Sequence, residues 1–180
     1  MQFSETFIPG LSKIILEQHQ DNRGLFIKSY QKTSFDFAHT PFEVKECFHS
    51  ISIKNTIRGM HYQSLVCNQY KVVFCSVGEI LDIALDIRLD SPTYGKFFDC
   101  ILSQDNSMGL LIPPGVAHGF CAVSETPALV NYYSSSEYDA KNDKGILWSS
   151  FGFNWNIKNP IISDRDAGFL TLSDCLNSST

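Results

Sequence analysis

Glu79-Ile80-Leu81-Asp82-Ile83-Ala84-Leu85-Asp86-Ile87 is the stretch on which the fold turns. Side chains of an extended chain alternate sides, so Ile80, Asp82, Ala84 and Asp86 share one face and Leu81, Ile83, Leu85 and Ile87 the other. The order predicts a strand over 79–87 with one side on a core and the other on a polar space. Outward from it, short apolar or alternating runs recur between Gly, Pro, Asn, Asp and Ser. They predict strands over 24–29, 44–53, 56–62, 70–76, 97–102, 109–112, 119–123 and 128–133. Helical periodicity is confined to 32–37 and the last dozen residues. Residues 1–20 and 134–180 read as less regular, with loops at 134–136 and 141–144 and a frayed end over 176–180.

Many short strands with no helices between them predict an all-β chain. A jelly-roll or cupin-like β-sandwich barrel is expected, with an interior able to serve as a pocket and short helices at the periphery. The 180 residues suit one domain over 1–180, and no linker divides them. Hydrophobic residues at 43% and charged residues at 18% exclude a disordered chain. Nineteen acidic against fourteen basic side chains leave a formal charge of -5, and the basic ones are scattered, which argues against nucleic acid as a partner. Apolar runs all fall short of the roughly 20 residues a membrane span needs, so no membrane partner is expected. The opening MQFSETFIPG lacks the basic-then-apolar order of a signal peptide, so a cytoplasmic protein is expected. The six cysteines form no CxxC pair and read as reduced, mostly buried thiols.

Two histidine segments stand out, I-R-G-M-H-Y-Q at 57–63 and I-P-P-G-V-A-H-G-F at 112–120. The second contains P-x-G-x-x-H, a turn that lets His118 enter the next strand facing a barrel interior. A metal centre wants an H-x-H pair and a carboxylate on the earlier strand, yet Gln63 stands two after His61, so neither metal nor cofactor is expected. Two inward histidines can act as acid–base groups, or equally be hydrogen-bonded core residues. His61 has Arg58 three residues before it and Lys71 ten after it. A cationic cluster inside a barrel is costly unless an anionic ligand neutralises it.

These segments, with Arg23-Gly24 after Asp21, G-E-I-L-D-I-A-L-D-I-R-L-D-S-P-T-Y-G at 78–95 and I-S-D-R-D at 162–166, resemble the dTDP-4-dehydrorhamnose 3,5-epimerase family. The motifs come in family order over roughly 5–170. The resemblance implies a metal-independent cupin, usually homodimeric with exchanged N-terminal strands, acting on a nucleotide-linked 4-keto-6-deoxy sugar in deoxysugar biosynthesis. It implies His61 as the base, Asp166 as the carboxylate orienting it, Lys71 as the cation at the C4 oxyanion and Tyr132 as the opposite-face acid. A slip of one residue exchanges Tyr132 with Tyr133. For substrate binding it implies Arg58 and Arg23 at the pyrophosphate and Tyr138 stacked on the base, with Phe26, Gln63 and Lys28 as further contacts. His118 fits a donor to the sugar or pyrophosphate, and His49 is a weaker inward candidate. Lys28 stands where the family carries glutamate, Glu46-Cys47-Phe48 replaces its Gln-Asp-Asn, and Trp148-Ser149-Ser150-Phe151 replaces W-N-D-P. A 3,4-ketoisomerase, a non-catalytic sugar-binding cupin and a metal-dependent cupin are the other readings.

Overall fold

The computed structural model describes residues 1–37 and 42–177. In chain order the strands are β1 (Gln2–Glu5), β2 (Ser12–Ile15), β3 (Glu17–Asp21), β4 (Gly24–Lys28), β5 (Glu46–Ser52), β6 (Ile57–Gln63), β7 (Lys71–Val77), β8 (Glu79–Asp86), β9 (Phe97–Ser103), β10 (Met108–Ile112), β11 (Val116–Ala122), β12 (Ala128–Ser134) and β13 (Asp143–Gly145). Three short helices accompany them, α1 (Lys32–Phe37), α2 (Asp164–Ala167) and α3 (Leu172–Asn177). Strands β1-β2-β10-β7-β12-β5 form one antiparallel sheet, β13-β6-β11-β8-β9 a second, and β3-β4 a separate hairpin. Two facing antiparallel sheets make the expected jelly roll, and they leave an interior between them.

All nine strands expected from the sequence form, although β11 begins at Val116, three residues before the expected start. The region 1–20 is more regular than its sequence suggests, since β1, β2 and β3 lie there. Their composition is too polar to show the alternation, and pairing fixes them instead: β1 with β2, β2 also with β10, and β3 with β4. Likewise the expected loop at 141–144 contains the start of β13, which is added to the edge of β6. The helix at 32–37 forms as expected, and residues 178–180 of the expected frayed end lie outside the described residues.

The two-faced reading of 79–87 needs correcting. Ile80 and Ala84 of β8 join Val73, Leu110, Phe120 and Val130 in the apolar core between the sheets. Ile83 and Leu85 on the opposite face are just as buried, beneath Ile146, Phe151 and Trp155 of the C-terminal segment. Each is worth about 2 kcal/mol of apolar burial, which is why that segment lies against the sheet. Tyr133, Phe74 and Val72 similarly cover the other sheet with Phe35 and Phe42. Asp82 and Asp86 are therefore buried acids rather than walls of a polar space. Asp86 is met by Arg88, Ser91 and Thr93, and against the cost of burial these bonds hold its carboxyl at about 2. Cys75 and Cys121 are buried free thiols, as expected of small apolar residues.

Candidate active site

Strands β6 and β11 run antiparallel with His61 opposite His118, which puts both rings on the same face of the sheet. The glycines of the two histidine motifs make this close approach possible. A Cβ on Gly59, whose φ is +131°, would stand 2.5 Å from the Cα of Gly119. Gly115, at φ +75°, turns the chain from Pro113-Pro114 into β11.

Asp166 reaches His61 across 105 residues of sequence because the C-terminal segment is tied down beside β6. The amide of Ile57 donates to the carbonyl of Ile161, and that of Ile161 to Asn55. Ser163 then caps α2, accepting from the amide of Asp166 at 3.2 Å. One Asp166 oxygen lies 2.9 Å from His61 Nε2, and the other accepts the Gly59 amide at 2.9 Å. Burial opposes the charge on Asp166, but the bond and charge of His61, the Gly59 amide and Arg165 outweigh it and hold the carboxyl at about 2. Burial lowers the proton affinity of His61, Asp166 pulls it back up, and Arg165 and Lys71 lower it further.

A second pair lies deeper. His118 Nε2 is 2.8 Å from an Asp82 oxygen, and the other oxygen of that carboxylate has no hydrogen-bond partner among the described residues. Burial raises the Asp82 carboxyl against the opposing pull of His118 and Lys71. Burial also lowers Lys71, while Asp143 and Asp82 work the other way.

These groups meet at a cavity of about 400 Å³ between the sheets, lined by His61, Lys71, His118, Tyr132, Arg58 and Arg165. Gln63 and Tyr138 also face it, the tyrosine hydroxyl donating to Asp143 at 3.3 Å. Tyr132 comes from the opposite sheet, its ring stacked on Phe48 at 4.7 Å and its hydroxyl 3.4 Å from Ser50. Burial raises its phenol strongly, so it stays protonated. Tyr133 points to the other face, where its hydroxyl meets Ser29 and its ring meets Phe74. A larger, mainly apolar cavity of about 1150 Å³ opens beside the first, sharing Tyr62 and Asp143 and lined further by Leu65, Leu89, Tyr94 and Leu172, but no histidine lines it.

Three of the expected ligand contacts are not brought to this cavity within the chain. Arg23, Phe26 and Lys28 lie on the β3-β4 hairpin, where Arg23 pairs with Asp21 and Lys28 with Glu17. His49 is exposed on β5 and does not line the cavity. Asp82, Asp143 and Arg165 were missed in the sequence. Asp82 had a signal, an acid on the same strand face as Ile80 and Ala84, and Arg165 stood inside S-D-R-D. Asp143 sat in what read as a loop. Among the described residues no group of three or more His, Cys, Asp or Glu side chains could hold a metal ion.

The family model for dTDP-4-dehydrorhamnose 3,5-epimerase matches residues 5–174. The dTDP-4-dehydrorhamnose 3,5-epimerase of Shigella flexneri is 39% identical over 92% of this chain and 93% of its own. Two solved structures superimpose closely. NovW, a 4-keto-6-deoxy sugar epimerase from the novobiocin gene cluster of Streptomyces spheroides, does so at a TM-score of 0.93 with 29% identity, covering 99% of this chain and 91% of that one. The dTDP-4-dehydrorhamnose 3,5-epimerase of Bacillus anthracis, solved with TDP and PPi bound, reaches 0.90 with 32% identity, covering 94% and 98%. Fold and site thus define a cupin-type sugar isomerase. More narrowly, the chain belongs to the dTDP-4-dehydrorhamnose 3,5-epimerase family.

Proposed function

We propose that this chain, acting as one domain over 1–180, epimerises a nucleoside-diphosphate-linked 4-keto-6-deoxyhexose at C3, C5 or both. The C4 ketone acidifies the neighbouring C–H bonds. His61 removes the proton, and its Nε2–H bond to Asp166 steadies the imidazolium that forms. The electron pair moves onto the C4 oxygen as an enolate, which the Lys71 ammonium stabilises. Tyr132 returns a proton to the opposite face of the same carbon, and the configuration inverts. One observation carries this reading: a histidine–aspartate dyad and a protonated phenol face one cavity from opposite sheets, beside a half-buried lysine.

Arg58, held by Ser52 at 3.0 Å, and Arg165 offer paired donors to the diphosphate, and His118 offers one more to the sugar or pyrophosphate. Gln63 contacts the sugar, and Tyr138 stacks on the nucleotide base. No cofactor enters the scheme. The assembly is a cytoplasmic homodimer. Its support is the exposed hairpin carrying Leu25 and Phe26, together with the apolar edge strand carrying Phe48 and Ile51. In that dimer the hairpin brings Arg23, Phe26 and Lys28 to the partner's cavity. Incubation with dTDP-, CDP- and GDP-linked ketosugars in deuterated water tests the reading. Deuterium appears at C3, C5 or both with at least one of them, and no incorporation with any of them overturns it.

A further inference from the structure

His61 Nε2 has two partners that make opposite demands. The Asp166 carboxylate at 2.9 Å only accepts, so it requires Nε2 to carry a proton. The Arg165 guanidinium at 2.7 Å only donates, so it requires Nε2 to present its lone pair. A ring nitrogen has one in-plane position and satisfies one of them at a time. The other nitrogen, Nδ1, makes no hydrogen bond among the described residues. With Arg165 bonded to Nε2, a neutral ring carries its proton on Nδ1, and neither nitrogen has a free lone pair. With Nε2–H given to Asp166, the lone pair of Nδ1 is free and the ring is a base.

Arg165 is placed to leave. It lines the cavity, and its side chain is 53% exposed. Besides Nε2 it touches Asp143 at 2.9 Å and Asp166 at 3.1 Å, and it lies over the Phe169 ring at 5.6 Å. With half of that side chain in solvent, its ion pairs are weakened by water and salt, although Asp143 and Asp166 themselves are largely buried. The contacts to Asp143 and Asp166 are single charge-assisted bonds, whereas a diphosphate offers paired ones and carries more negative charge. An entering diphosphate therefore wins the guanidinium. The other charged and titratable groups that line the cavity with His61 include Arg58, Lys71, His118, Tyr132, Tyr138 and Asp143, and none of these hydrogen-bonds Nε2.

We infer that Arg165 is a positioning residue that locks His61 in its non-basic tautomer in the empty site and releases it when a nucleoside diphosphate draws the guanidinium away. This rests on the reading of the site as one for a nucleotide-linked sugar, and it couples nucleotide binding to the arming of the base. A proton is then removed only from a substrate whose diphosphate is seated. Of the two tautomers, Asp166 favours the active one and Arg165 the inactive one, so ligand binding shifts a pre-existing balance.

Imidazole nitrogen NMR of the full-length protein tests it without turnover. In the free wild type, Nε2 of His61 reads as unprotonated and Nδ1 as protonated. Millimolar dTDP, or inorganic pyrophosphate, exchanges the two signatures. Arg165→Met shows the Nε2–H form without any ligand, while Arg165→Lys keeps the donor and the ligand response. In turnover Arg165→Met raises KM about tenfold, the loss of one charge-assisted bond, with kcat held within about threefold; a merely structural role lowers kcat and leaves the tautomer alone. The same tautomer with and without dTDP and pyrophosphate overturns the lock, and the wild-type spectra decide this even if Arg165→Met fails to fold. Absence of deuterium wash-in would instead overturn the epimerase reading, so the two failures are separable.

Discussion

Two histidine–aspartate pairs sit a few residues apart in the same barrel, and they are not equivalent. His61–Asp166 and His118–Asp82 have nearly equal nitrogen–oxygen distances, 2.9 and 2.8 Å. Their surroundings differ. His61 is 24% exposed and Asp166 4%, and both Asp166 oxygens are occupied, by the imidazole and Arg165 on one side and the Gly59 amide on the other. His118 is 4% exposed and Asp82 0%, and one Asp82 oxygen is unpartnered. The first carboxylate is held well below the usual range and the second is pushed above it. A carboxylate that stays charged can steady an imidazolium formed in each turnover, whereas one that resists its own charge cannot do so as well. The same two residue types thus give an exchangeable dyad at the cavity mouth and a fixed polar strut, with His118 lining the cavity and Asp82 buried behind it.

The largest effect expected from this difference is on proton removal. His61→Gln lowers deuterium wash-in at both carbons by about 10²–10⁴-fold, the contribution of a positioned acid–base group. His118→Gln keeps most of the wash-in and raises KM. Equal losses in the two variants, measured by NMR of the product, would break the distinction between the pairs.

Next comes stability. Asp166→Asn removes a carboxylate that the Gly59 amide and the Arg165 guanidinium both satisfy, and it costs about 2 kcal/mol, a drop of several degrees in thermal midpoint at neutral pH. Asp82→Asn leaves the midpoint unchanged or raises it, because Asn keeps an acceptor for His118 and removes a charge that burial disfavours. Acid titration gives the sign independently. Asp166, depressed to about 2 from an ordinary value near ~3.9, contributes stability that is fully present above that ordinary value and is lost as pH falls toward 2. Asp82, raised by burial, behaves oppositely: its contribution is complete below the ordinary range and declines as pH rises through its folded value. Denaturant melts between pH 2 and 7 check both, and a wild-type acid slope retained in Asp166→Asn would contradict the assignment.

The smallest effect concerns the far wall. Tyr132→Phe retains wash-in within about tenfold of wild type while inverted product falls further, since proton removal on the His61 side survives and delivery from the other side does not. Tyr133→Phe changes neither, because its hydroxyl meets Ser29 on the outer face. Product configuration against deuterium content separates them.

Strand alternation made β8 legible, and turn residues made its neighbours so, because pleat and punctuation are local properties of the chain. The polar strands β1 to β3 and the edge strand β13 were not legible, since pairing outweighs their propensity: the distant β10 and β6 hold β2 and β13, and the neighbouring β2 and β4 hold β1 and β3. The ordered motifs indicated His61, Lys71, Tyr132 and Asp166, and all four line or support one cavity. Arg23, Phe26 and Lys28 sit in a motif of the same kind yet lie on an exposed hairpin, because a motif records a residue type and not the side of the molecule on which folding leaves it.

The order of residues by itself determined an all-β barrel, its acidic and scattered charge, and the residue types able to move a proton beside a carbonyl. Only the folded chain decided that Tyr132 rather than Tyr133 faces the imidazole, that Asp82 keeps an unpartnered oxygen while both oxygens of the equally buried Asp166 are shared among donors, and that Arg165 reaches the ring at all. Alternation fixes two faces but not which is inward. That choice is made when Phe151 and Trp155 cover one side of the second sheet and Phe35 and Phe42 the outer side of the first, leaving the remaining space between them for the cavity.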